Sequence, residues 1–196
     1  MDEIAKALEG LNGTSIADAL ERMAEFYDET KSEITSFSEK EGVKCPPGCG
    51  ICCSRFLPDI TKYESLFLSA FIAFSEKKEE IMGRLESAKG QKNGPCPLYD
   101  ESKAYHCMCY EARPLICRLF ASTCFAGKSG ERKFSHCHLN AAFKGPDSID
   151  ESAPMMGNYG QRMLALQGED SVTEFLPERL LKDIALVEYY IGLKEK

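Results

Sequence analysis

Four thiols fall within the nine residues Cys45-Pro-Pro-Gly-Cys49-Gly-Ile-Cys52-Cys53. Pro46, Pro47 and Gly48 break any helical turn, so Cys45 and Cys49 do not stack as i, i+4 neighbours on a helix. A loop of this composition can wrap its side chains around a central point, as metal-binding loops do. Cys49 and Cys52 have the C-x-x-C spacing that lets two sulfurs reach one centre. Adjacent Cys52 and Cys53 point in different directions, so they are expected to serve two centres, or one centre and its surroundings. Further sulfurs come from Cys96, Cys107, Cys109, Cys117, Cys124 and Cys137. Thiolate is the preferred ligand of structural zinc and of iron–sulfur clusters, so four-ligand chemistry is available once or twice.

Clustered thiolates accumulate negative charge that something must offset. The chain as a whole carries −7, yet the segment from Arg84 to His138 has nine Lys/Arg against five Asp/Glu, or +4, leaving −11 elsewhere. That basic segment holds six of the ten cysteines. Arg113 and Arg118 flank Cys117, and Arg55 follows Cys53, so charge compensation is favoured over mere solvation for these arginines. With Pro114 in the first turn of a short helix, Cys117 lies near a helix N-terminus, where the dipole favours a thiolate.

At 196 residues, 43% of them hydrophobic and 28% charged, the chain suits one globular unit with a real core. The acidic balance argues against nucleic acid and anionic membrane surfaces as partners, and leaves an unidentified protein partner. The most apolar run, Leu66 to Phe74, is nine residues long, where a membrane span needs about 20. The N-terminus lacks a secretory pattern. A cytoplasmic location is therefore expected, where thiols stay reduced and grouped cysteines bind metal more often than they form disulfides.

The elements that must position these thiols are helical. Asp2 to Gly10 forms a short helix, and Ile16, Leu20, Met23, Tyr27, Ile34 and Phe37 mark an amphipathic helix from Ser15 to about Phe37. Thr61-Lys-Tyr-Glu64 is a capping box that opens one helix with an apolar stripe running to Leu85. Residues 89–106 form a loop, Arg113 to Phe120 a short helix, and Ala121 to Met156 has no clear pattern. Asn158 caps a helix through Gln167, Ser171 to Glu174 is a second capping box or turn, and Pro177 opens a last helix carrying Leu180, Ile184, Val187 and Ile191. No strand-like alternation stands out. The expected fold is mainly α, with helices flanking irregular cysteine-rich metal-binding loops. Its organisation is an N-terminal helical extension over 1–44, a cysteine-cluster domain over 45–142 and a C-terminal helical region over 143–196, packed as one unit.

The motifs Cys49-Gly-Ile-Cys52-Cys53, Cys96-Pro-Leu, Cys107-Met-Cys-Tyr-Glu-Ala-Arg113-Pro114-Leu-Ile-Cys117-Arg118 and Cys137-His-Leu-Asn-Ala resemble the YkgJ family of cysteine-cluster proteins. That family is described as zinc- or iron-chelating, with a C-x-x-C-x-x-C-C pattern followed by C-x-x-Y-x-x-R-P-x-x-C-R. The resemblance spans about Cys45 to Ala142, half the chain. It implies Cys45, Cys49, Cys52, Cys53, Cys96, Cys107, Cys117 and Cys137 as metal ligands, with Arg113 and Arg118 beside the cofactor. Cys45 departs from the pattern, being three residues rather than two before Cys49. Cys109 and Cys124 have no counterpart and are expected as small buried hydrophobes. His106, His136 and His138 are taken as ordinary surface residues. Glu64 coincides with a glutamate of the family pattern and is accounted for by its capping box.

The favoured function is an iron–sulfur protein with a redox or cofactor-handling role. The alternative is a zinc-stapled structural or protein-interaction module, which accepts the same four-thiolate ligation. Disulfides in an exported protein are the weakest of the three. Phosphate-loop, dinucleotide and serine-nucleophile motifs are absent, and no acid/base constellation stands out apart from the thiols.

Overall fold

The computed structural model describes residues 2–46, 48–103, 106–168 and 172–194. Pro47 of the first cysteine loop and Ser171 of the expected second capping box lie outside these residues, as do two positions of the 89–106 loop. Among the described residues the chain forms seven α-helices and two small antiparallel pairs of strands, so it is mainly α. Among the described residues no helix is long and apolar enough to cross a membrane.

Helix α1 covers Asp2–Leu11 and α2 covers Ser15–Lys40. Thr14 starts α2: its hydroxyl oxygen accepts the Ala17 amide at 3.2 Å, satisfying one of the orphan donors of the first turn. Gly42, at φ 67°, ends it in the left-handed conformation that a side chain would disfavour.

The stripe from Tyr63 to Leu85 is not one helix. It divides into α3 (Lys62–Ala73) and α4 (Lys78–Ser87). At the break, Ser75 Oγ accepts the Lys77 amide at 3.2 Å, a local bond that competes with helix continuation. Every residue of α3 from Glu64 to Ile72 is buried, so α3 is covered on all sides rather than amphipathic. It packs on α7 (Leu176–Lys194), with α1 and α2 on its flanks. Leu20, Leu68, Ile72, Ile81, Leu180 and Ile184 are fully buried in this larger core.

Arg113 to Phe120 yields only the five-residue helix α5, Leu115–Leu119, and Pro114 is its N-cap rather than part of its first turn. Strands β2 (Cys124–Ala126) and β3 (Arg132–Phe134) form a hairpin in the segment without clear pattern. Three-residue strands are too short for alternation to show in sequence. The hairpin belongs to a second, smaller core with Phe37, Val43, Cys137 and Phe143. Helix α6 spans Met156–Gln167 with Met155 as N-cap, which places Asn158 inside the first turn instead of capping it. Glu174 starts a strand, β4 (Glu174–Phe175), paired with β1 (Asp59–Ile60).

Glu64 does more than cap its own helix. Its Oε2 accepts the Thr61 amide at 2.8 Å and the Thr61 hydroxyl at 2.7 Å, while Oε1 accepts the Leu115 amide at 2.8 Å. Leu115 is the first residue of α5, so one buried side chain caps α3 and anchors the start of the cysteine-bearing helix. Gln167, at the end of α6, adds a donor to Thr61 Oγ1 at 3.0 Å. Removing the carboxylate would leave buried amides of two helices unpaired, each costing about 1–3 kcal/mol. Glu64→Ala is accordingly expected to lower the unfolding free energy of metal-free protein by about 2–4 kcal/mol in urea titrations followed by circular dichroism. Glu64→Gln, which keeps one acceptor, should recover part of the loss. A change below about 0.5 kcal/mol in Glu64→Ala would show that the clamp carries no stability.

Candidate metal centre

The cysteines reach a common place through backbone links between irregular segments. Lys44 and Lys144 exchange amide–carbonyl hydrogen bonds at 2.9 and 3.2 Å, which fixes the entry to the first loop beside the segment after Cys137. A 3-10 turn, Ile51–Ser54, carries Cys52 and Cys53. Cys53 O accepts the Cys96 amide at 2.8 Å, joining the first loop to the second. Gly48 O accepts the His106 amide at 3.1 Å, bringing in the segment of Cys107. Gly50 sits so close to that segment that a Cβ there would lie 2.8 Å from His106 Cβ. Only glycine fits without displacement.

The R-P-x-x-C-R motif is locked by its own arginines. Arg113 Nη1 donates to Tyr110 O at 2.8 Å and its guanidinium lies over the Tyr110 ring at 3.8 Å. Arg118 donates from Nε to Arg113 O at 2.8 Å and from Nη2 to Glu111 O at 2.5 Å, and stacks 3.8 Å over the ring of Tyr27 on α2. These arginines are not merely solvated. They tie a second 3-10 turn, Tyr110–Ala112, to α5 and α5 to the helical core.

The result is a cavity of about 190 Å³. Cys45, Cys49, Cys52, Cys53, Cys96, Cys107, Cys117 and Cys137 all line it, as do Arg113 and Arg118. Cys109 and Cys124 do not; each is fully buried, one in the larger core and one in the smaller. None of the three histidines lines it either. His106 Nδ1 lies 3.2 Å from Asp100 O, His136 packs edge-on against Phe143, and His138 borders a neighbouring pocket. All ten cysteines are free thiols. Among the described residues no three His, Cys, Asp or Glu side chains form a group that could hold a metal ion, so the thiols border a shared volume without converging on a point.

Burial governs four of the cavity thiols. It pushes Cys45 up to about 11 and Cys96 up to about 12, and raises Cys107 as well. Cys117 is also held well above the ordinary thiol range by burial, so the expected effect of the α5 N-terminus does not prevail in a helix of five residues. Cys52 is the exception. A hydrogen bond from the Cys53 thiol brings it down to about 7 against the effect of burial, and raises Cys53 correspondingly. The positive charge of Arg113 opposes burial at Cys45, Cys52, Cys107 and Cys117, which is the direction charge compensation requires. Asn140 Nδ2 lies 3.1 Å from Cys49 Sγ and donates to it. Sequence alone did not single out Asn140; its one signal is its position three residues after Cys137.

No curated protein and no solved structure matches the chain. Residues 44–140 match the model of the CxxCxxCC family, described as a "putative zinc- or iron-chelating domain". This region takes in all eight cavity-lining thiols together with Asn140 and both arginines, and over residues 44–140 the chain is similar to the CxxCxxCC family.

Proposed function

We propose that the thiol-lined cavity holds an iron–sulfur cluster and that the protein has a redox or cofactor-handling role. The observation that carries this is the spread of the thiols around one cavity, where among the described residues no three converge on a point. Eight sulfurs around about 190 Å³ are twice what a single tetrahedral zinc ion accepts. An iron–sulfur cluster also takes four cysteine thiolates, but it spreads them over separate iron atoms, and so suits sulfurs that border a shared volume without converging on a point better than a single ion does. Arg113 and Asn140 supply the surroundings that such a centre uses. The first is a positive charge that offsets thiolate charge, and the second is an N–H donor to a sulfur, one of the features that set a cluster's potential.

Binding must draw the sulfurs inward. The segments that carry most of them are loops and 3-10 turns, which can adjust while α3 and α7 stay packed. A bound cluster would supply one-electron chemistry. The chain's own part is to hold the thiolates, to offset their charge and to limit the access of water.

Anaerobic purification is expected to yield brown protein containing iron and acid-labile sulfide. Colourless protein with stoichiometric zinc and no iron would overturn the proposal in favour of the zinc staple. Within the same measurement, Cys117→Ser should release metal, while Cys109→Ser and Cys124→Ser should keep it.

Metal uptake must also release protons, because Cys45, Cys96, Cys107 and Cys117 are held in the thiol form by burial. Raised thiol pKa values mean that protons compete with metal more strongly as pH falls. Affinity should drop by about one decade per pH unit for every thiol deprotonated on binding. Competition with a chelator between about pH 6 and 8 is expected to show a slope of at least two protons. A pH-independent affinity would contradict thiolate ligation.

A further inference from the structure

A second cavity, of about 370 Å³, shares Cys52, Cys53, Cys96 and Cys117 with the first. Pro58 and Phe120 also line both, and its own walls are Phe56, Ile116 and Leu139, with Arg55 and His138 completing the lining. The volume lies within the range of about 300–1,000 Å³ usual for small-molecule sites. Two of its aromatic side chains, Phe56 and Phe120, remain 43% and 38% exposed, which puts bare aromatic surface next to the thiols.

Apart from its thiols, this pocket has one formally charged side chain among the described residues, Arg55. The chain carries −7 overall, but among the described residues no Asp or Glu lines the pocket, whereas an arginine and a histidine do. Arg55 is exposed, and among the described residues its guanidinium makes no hydrogen bond or ion pair. It differs in this from Arg113 and Arg118, whose guanidinium groups are tied to neighbouring carbonyl oxygens. A guanidinium with five free donors beside an apolar, aromatic wall suits a carboxylate attached to an apolar body. Desolvation of the body against Phe56 and Phe120 would provide affinity, and Arg55 would select for the charge.

We infer that this pocket binds a small apolar carboxylic acid, seated against the same sulfurs that face the metal cavity. The inference goes beyond the cluster proposal and does not depend on which metal the thiols hold. It concerns the outer face of the centre, where a substrate or effector would touch its ligands.

Isothermal titration calorimetry of the purified, metal-loaded protein with 3-phenylpropanoate, and separately with its uncharged amide, tests this. The expected result is saturable binding of the acid at one site per chain, with the amide at least about tenfold weaker. Arg55→Gln should remove the preference for the acid, and Phe56→Ser should weaken both ligands. Arg55, expected from its place after Cys53 to offset thiolate charge, is instead exposed and outside the thiol cavity, as is Phe56, so the metal content of the two variants should equal that of the parent. Absence of saturable binding by the acid, equal affinity for acid and amide, or affinities unchanged in both variants would each overturn the inference. Metal analysis of the same samples reports separately on the cluster, so failure of one proposal is distinguishable from failure of the other.

Discussion

Glu64 is where the helical core and the thiol-lined cavity meet. Its side chain accepts from the first turn of α3 and from the first amide of α5, two elements 51 residues apart in the chain. Backbone amides at helix starts have no intrahelical partner, and burying them without one is costly. A single acceptor that serves both helices therefore fixes where α5 can begin. Cys117 sits two residues after Leu115, and Arg118 reaches from the same turn to Tyr27 on α2. The position of this thiol thus follows from the packing of α2, α3 and α7, although none of those helices contains a cysteine.

The rest of the cavity obeys a different constraint. Burying a thiol favours its protonated form, while coordinating a metal requires the thiolate. The structure balances these demands with few groups. Arg113 provides positive charge close to several thiols, the Cys53 thiol donates to Cys52, and Asn140 donates to Cys49. Burial still dominates at Cys45, Cys96 and Cys117. Without metal these three thiols are thereby kept mostly protonated, and the incoming metal provides the remaining charge compensation.

What could be read from sequence followed strong local signals. The helix after Thr14, the box at Thr61 and Glu64, and the last helix with Leu180, Ile184 and Val187 all have caps or apolar spacing that act within a few residues. Clustered cysteines on proline- and glycine-rich loops likewise announce themselves. The apolar spacing continued across Ser75, however, so the break between α3 and α4 was hidden in the pattern. The bond from Leu115 to Glu64, the donor on Asn140 and the stacking of Arg118 on Tyr27 link residues 51 to 91 positions apart. Local propensity carries no trace of such pairs. The dipole argument at Cys117 failed for a related reason, since burial depends on the whole fold and outweighs a single short helix.

The central claim is that thiols from separate segments surround one polynuclear centre. X-ray absorption spectroscopy at the edge of the metal that the purified protein carries tests it most directly, because it reports both the atoms bound to the metal and the presence of a second metal nearby. The account predicts a first shell of sulfur and a clear metal–metal contribution. A lone metal atom without a metal neighbour, or a first shell made of nitrogen and oxygen, would contradict it.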